Sequence, residues 1–265
     1  MKKLIVIICL LSVAFATQAQ KENRIGITAG WQEGYIGDQH LSSLLYKSDV
    51  LNLGGIYQSR GDFFFEAVLQ VGIGTNQANR FGKRQVHYTE KPDIYGEQDS
   101  EVIAVNPFFS RLNAQLSLRG LFQVADNHQL GLAFRTKYVM AGISGDLLQY
   151  AQVDIAPSYQ YTYGIFDGQI EVAAELPLLS AVVRPNFALD PSLSDETNYF
   201  KGYVRTGSAI TSINELINPR VRVGYVHTFR NGKELGAYFN IQWTSYSEPR
   251  PIRMLDYGID AVYFF

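Results

Sequence analysis

Residues Glu234 to Thr244 read ELGAYFNIQWT. Leu235, Ala237, Phe239, Ile241 and Trp243 fall on odd positions; Glu234, Gly236, Tyr238, Asn240, Gln242 and Thr244 fall on even ones. Successive side chains of a strand point to opposite faces, so a period of two held this long predicts a strand with one apolar and one polar face. The pattern recurs. Phe63, Phe65, Ala67, Leu69, Val71 and Ile73 alternate with a set that includes Glu66 and Gln70. Leu112, Ala114, Leu116 and Leu118 alternate with Arg111, Asn113, Gln115, Ser117 and Arg119. Val153, Ile155, Tyr159, Tyr161, Tyr163 and Ile165 alternate with Gln152, Asp154, Ser158, Gln160 and Thr162.

Ten such segments can be placed: 24–31, 46–59, 62–74, 102–122, 128–140, 149–166, 168–182, 219–230, 232–245 and 255–265. No linker, repeat or low-complexity tract separates them, so 20–265 reads as one domain. The connections alternate in length. SRGD (59–62), QVADNH (123–128), FDGQ (166–169) and RNGK (230–233) are tight turns, and Asp167-Gly168 and Asn231-Gly232 are pairs that two-residue hairpins favour. Longer links at 32–45, 75–101, 141–148, 183–218 and 246–254 lie between them. Short turns at one end and long loops at the other are the layout of an up-and-down antiparallel transmembrane β-barrel, with the turns in the periplasm. The count is about ten strands. An extra hairpin in 75–101 or 183–218, for instance around NYFKGYVRT, would make twelve.

Alternation alone does not say whether the apolar face points in or out. Segment length favours out: many run past nine residues, as a tilted membrane strand requires, whereas soluble strands are commonly five or six. Aromatic residues also gather near segment ends. Trp31, Tyr138, Tyr150 and Trp243 lie near the long loops; Tyr57, Phe63, Phe122, Phe229 and Phe265 lie near the turns. Such girdles mark the two interfaces of a membrane barrel.

The first residues fit this compartment. MKKLIVIICLLSVAFATQAQ has two lysines, an apolar run too short to span a bilayer as a helix, and small residues before Gln20. It reads as a cleaved signal peptide, 1–19. The one cysteine, Cys9, lies within it, so the exported chain has no disulfide, thiolate metal site or cysteine nucleophile. Removing Lys2 and Lys3 from 23 basic residues, against 25 acids, leaves about −4, which argues against nucleic acid as a partner.

In LDYGIDAVYFF, Tyr257, Ile259, Ala261, Tyr263 and Phe265 alternate on the apolar face. This stretch resembles the C-terminal signal of Gram-negative outer-membrane β-barrel proteins. The resemblance implies an outer-membrane location and delivery by the barrel-assembly machinery, with membrane lipid and lipopolysaccharide as neighbours. It implies no activity.

With the apolar face outward, parity places Glu66, Arg111, Arg119, Arg135, Lys137, Asp154, Glu171, Glu175, Arg222, Glu234, Asp256 and Asp260 in the lumen, joined by Arg24. Small barrels are filled by their own side chains, and a mixed-sign set suits cross-barrel ion pairs better than the single-sign ring of a selective pore. Catalytic constellations are sparse. His128 falls in a turn. His227 faces lipid, and Phe229 stands where outer-membrane lipid hydrolases carry serine two residues after histidine. His40 and His87, the latter near Asp93, lie in long loops, where a rim site like that of the barrel proteases is conceivable. The acids of 93–101 and 190–196 match no calcium-loop spacing, and no phosphate-binding glycine motif occurs. The expectation is a monomeric barrel without cofactor or metal, non-enzymatic, structural or binding through its loops. A narrow porin and a rim hydrolase acting on lipid or peptide are the alternatives.

Overall fold

A computed structural model describes residues 22–39, 44–61, 63–78, 84–89, 100–105, 108–142, 148–184, 207–248 and 250–265. The ring strands are β1 (Glu22–Asp38), β2 (Leu45–Arg60), β3 (Phe63–Ala78), β6 (Phe108–Ala125), β7 (His128–Ala141), β8 (Leu148–Ile165), β9 (Gly168–Glu175), β13 (Arg220–Thr228), β14 (Glu234–Tyr246) and β15 (Ile252–Phe264). Each pairs antiparallel with the next, and β15 returns to β1 through Ala261 opposite Ala29. The result is a closed antiparallel ten-stranded barrel. Closure leaves the ring without an unpaired edge, which a sheet in hydrocarbon requires.

Between β3 and β6, β4 (Arg84–Thr89) and β5 (Ser100–Val105) pair only with each other. The segment placed at 102–122 is therefore two strands, and the extra hairpin lies off the ring, which stays at ten. NYFKGYVRT and the 1–19 leader lie outside the described residues. Beyond Pro177, β10 (Leu179–Val183) continues β9 along β8, and β11 (Ser208–Ser212) pairs with β10. Ahead of Pro219, β12 (Leu216–Ile217) pairs with β14. The ladder between β9 and β13 stops at Glu175 opposite Arg220, next to both prolines. Proline has no amide hydrogen to give a ladder, so the pairing is interrupted there.

Outside, the barrel is apolar: Ile27, Leu53, Leu69, Leu132 and Ile259 each expose more than half their surface. Trp31 and Trp243 edge this belt toward the loops, and Phe122 and Phe265 toward the turns. Phe63 packs against Phe122 at a tilt of 52°, with centroids 4.8 Å apart. Tyr150 does not belong to the girdle. It points inward and is fully buried, as its even position beside outward-facing Val153 and Ile155 requires.

The turns are tight, with one shift. In β8–β9 the two turn residues are Phe166 and Asp167, not Asp167-Gly168, and Phe166 takes φ 50°. Gly168 serves packing instead. A Cβ there would meet the carbonyl of Val226 and stand 2.7 Å from the Tyr225 hydroxyl.

Candidate functional site: the barrel interior

Inward-facing side chains stack in tiers. At the turn-side mouth Arg24 pairs with Glu234. Arg60 reaches Glu171 at 3.3 Å and Glu234 at 3.7 Å. Glu171 also accepts from Gln169 Nε2 (2.6 Å) and from the Tyr238 hydroxyl (3.1 Å). One step in, Glu66 binds Arg119 (2.9 Å) and Arg222 (3.1 Å) and accepts from Gln58 (2.6 Å). Arg119 lies over the Phe64 ring, 5.3 Å from its centre.

Mid-barrel, Asp260 accepts from Asn240 Nδ2 (2.7 Å), and Arg220 makes no ion pair within 4 Å among the described residues. Two small cavities of about 30 and 40 Å³ open beside them, both lined by Gln70, Arg220, Asn240 and Asp260. Each has room for a few waters at most, at ~10–15 Å³ of probe volume per water.

Farther toward the loops Asp256 holds two cations, Arg111 at 3.2 Å and Lys137 at 2.8 Å. Gly34 makes room for it: a Cβ there would stand 2.6 Å from Asp256 Oδ1. Arg135 bridges Asp154 (3.1 Å) and Glu175 (3.2 Å). Asp154 is saturated. Its Oδ1 accepts from Gln152 Nε2 (2.5 Å) and Ser180 Oγ (2.6 Å), and its Oδ2 from Asn218 Nδ2 (3.0 Å) as well as Arg135. Asn218, just before Pro219, also accepts from Gln242 and Thr244. The interrupted wall is thus stitched from inside.

Above the charges lies an apolar tier. Ile36, Tyr46, Ala78, Phe109, Val139, Tyr150, Val182, Leu216, Tyr246 and Met254 form one buried cluster, none more than 8% exposed. They come from β1, β2, β3, β6, β7, β8, β10, β12, β14 and β15, so most of the loop-side wall contributes, β11 apart. Tyr46 and Phe109 meet edge to face with centroids 5.0 Å apart. Beyond it Arg184 binds Asp38 at 2.5 Å.

All twelve lumen residues named from parity lie on the inward face and share these contacts, as does Arg24. Parity reasoning missed Asp38, Arg60, Arg184 and Arg220. Arg220 shares the parity of Arg222 and was readable. The other three sit where strands extend past the segment ends expected from sequence.

The arrangement is chemically conservative. The interior joins carboxylates to guanidinium and ammonium groups, and both described histidine side chains are elsewhere. His128 lies outside against Tyr159 (Nδ1 to hydroxyl 2.8 Å), and His227 packs between Tyr225 and Phe229. His40 and Asp93 lie outside the described residues, and of His87 only the backbone in β4 is described. Among the described residues no three metal-ligating side chains converge.

An antiparallel ring closed on itself, apolar outside and charged within, is the architecture of outer-membrane β-barrels. No protein-family model matches the chain, and no curated protein does. Solved structures similar to it include the outer membrane protease OmpT from Escherichia coli, 10% identical over 92% of this chain and 95% of that one, TM-score 0.38. The β domain of the Bordetella autotransporter BrkA is 9% identical over 91% and 98%, TM-score 0.40. The outer membrane channel DcaP of Acinetobacter baumannii is 11% identical over 94% and 99%, TM-score 0.28. These superpositions are loose, and no residue role transfers with them.

Proposed function

We propose that the protein is a non-conducting, non-enzymatic barrel of the outer membrane that anchors its long outer connections at the cell surface. The observation that carries this reading is the apolar tier, to which ten strands of the loop-side wall contribute. An ion crossing it would shed its hydration against Val, Ile, Phe and Tyr with no compensating ligand, a cost of many kcal/mol. A conducting pore lines its narrowest point with one sign of charge or with carbonyl oxygens instead. The 75–101 connection, from which the β4–β5 hairpin rises, and the 183–218 connection, which contains β11 and β12, are the parts available to outside partners. Long connections of this kind commonly carry function.

Reconstitution into planar bilayers tests the reading. The native barrel is expected to show no stepwise conductance. Thinning the tier, as in Phe109→Ala combined with Tyr150→Ala, is expected to produce steps or a noisy leak. Stable single-channel steps from the native protein would replace this reading with the porin.

A further inference from the structure

At the loop-side rim one guanidinium gathers stretches that are far apart in the chain. Arg184 follows Val183 at the end of β10, and its amide donates to the Gly207 carbonyl at 2.8 Å. The residue is only 3% exposed. Its Nη2 donates to Asp38 Oδ1, at the end of β1, at 2.5 Å. Its Nη1 donates to the backbone carbonyl of Glu248 at 3.0 Å and to that of Arg250. Gln39 completes the circle: its amide donates to the Pro251 carbonyl at 3.1 Å.

Glu248, Arg250 and Pro251 belong to the connection that joins β14 to β15. The β14–β15 ladder ends with Tyr246 opposite Ile252, and the chain between them reads SEPRP. Pro249 and Pro251 have no amide hydrogen, so this stretch cannot extend the ladder. No other hydrogen bond among the described residues reaches the Glu248 or Arg250 carbonyl. A guanidinium fits the task because its donors lie in a rigid planar fork; the ammonium of lysine offers the charge without the fork. Asp38 supplies the counter-charge that a buried cation needs.

These contacts are separate from the ring. β14 pairs with β15 as far as Tyr246, and β15 pairs with β1 as far as Asp38, without any help from Arg184. We propose that Arg184 is a clamp that fixes the β14–β15 connection against the ends of β1 and β10, and that its removal frees this connection while the ring stays closed. A fixed connection gives this part of the outer surface one prearranged shape, which lowers the ordering cost of binding a partner. That use rests on the reading that the outer connections meet partners; the clamp itself does not.

Electron paramagnetic resonance of the full-length barrel in detergent tests the proposal. Cys9, the chain's one cysteine, is replaced by Ser, and a nitroxide is attached at Ser247→Cys, an exposed position beside Glu248. The label is expected to give the broad lines of a restrained site when Arg184 is present. Arg184→Met, combined with Asp38→Asn so that no buried carboxylate is left unpaired, is expected to shift it to the narrow lines of a mobile one. Arg184→Lys should shift it the same way. A label at Asp126→Cys, in the exposed β6–β7 turn, should be unaffected by either change. Each variant is first checked for the gel mobility of a folded barrel. Broad lines that persist in the folded Arg184→Met, Asp38→Asn barrel overturn the proposal, as do narrow lines when Arg184 is present. Broad lines in Arg184→Lys would mean that charge alone holds the connection, which overturns the clamp as well. None of these results bears on the conductance test, so the two readings fail separately.

Discussion

Asp256 and Asp260 sit four residues apart on the same inward face, yet they differ sharply in what they hold. Asp256 pairs with both Arg111 and Lys137; Asp260 accepts from Asn240 and makes no ion pair within 4 Å among the described residues. Asp256→Ala leaves two buried cations without a carboxylate and is expected to cost ~3–5 kcal/mol, whereas Asp260→Ala should cost roughly 1–2 kcal/mol. Urea unfolding of the refolded barrel, followed by tryptophan fluorescence, would separate them. Equal losses would mean that water already screens the Asp256 tier. Asp154 belongs with Asp256. Four donors converge on it, and Asp154→Ala should also loosen the interrupted wall at Asn218.

At the scale of the strand, parity governs the outcome. Phe134 and Arg135 are neighbours in sequence, but Phe134 faces outward beside Ile155 while Arg135 is buried against Asp154. Phe134→Arg would place a charge on the lipid face and is expected to cost ~2–4 kcal/mol near the bilayer midplane. The measurement is the shift in urea midpoint in lipid vesicles; no shift would argue against a membrane-facing belt. The turns carry a second prediction. Phe166 occupies a positive φ that suits asparagine or glycine far better. Phe166→Asn should stabilise the β8–β9 hairpin by about 1 kcal/mol, while Phe166→Leu should not, read from the same unfolding curves. Strand ends were the weak point of the sequence reading. Asp38, Arg60 and Arg184 lie past the expected ends because membrane strands can outrun the apolar belt, and alternation fades where both faces turn polar.

For the whole molecule, closure is the organising event. β15 lies between β14 and β1, with Tyr257, Ile259, Ala261, Tyr263 and Phe265 on the lipid side. Those side chains make few contacts with the interior, so Tyr263→Ser with Phe265→Ser should change the stability of the refolded barrel little. The same pair should lower the amount assembled in cells, measured as the heat-modifiable fraction of outer-membrane extracts. Unchanged assembly would remove the role given to that stretch as an assembly signal.

The sequence by itself determined the alternation, hence the strands, the inward and outward sets, and the order of short turns and long loops. These are local properties, written with a period of two into each segment. It could not determine which inward residues meet. Asp256 finds Arg111 and Lys137 across 145 and 119 residues, and Glu66 finds Arg222 across 156. Those pairings depend on the tilt and stagger with which ten strands close, a property of the ring and of no single segment. The same closure gathers apolar side chains from ten strands into one buried cluster toward the loops, while amides from β6, β7, β8 and β9 are left around an open cavity at the other end. Tyr150 shows the division in one residue. Its aromatic character and place near a loop suggested a membrane girdle, and the tertiary structure turned it inward, into the buried apolar cluster.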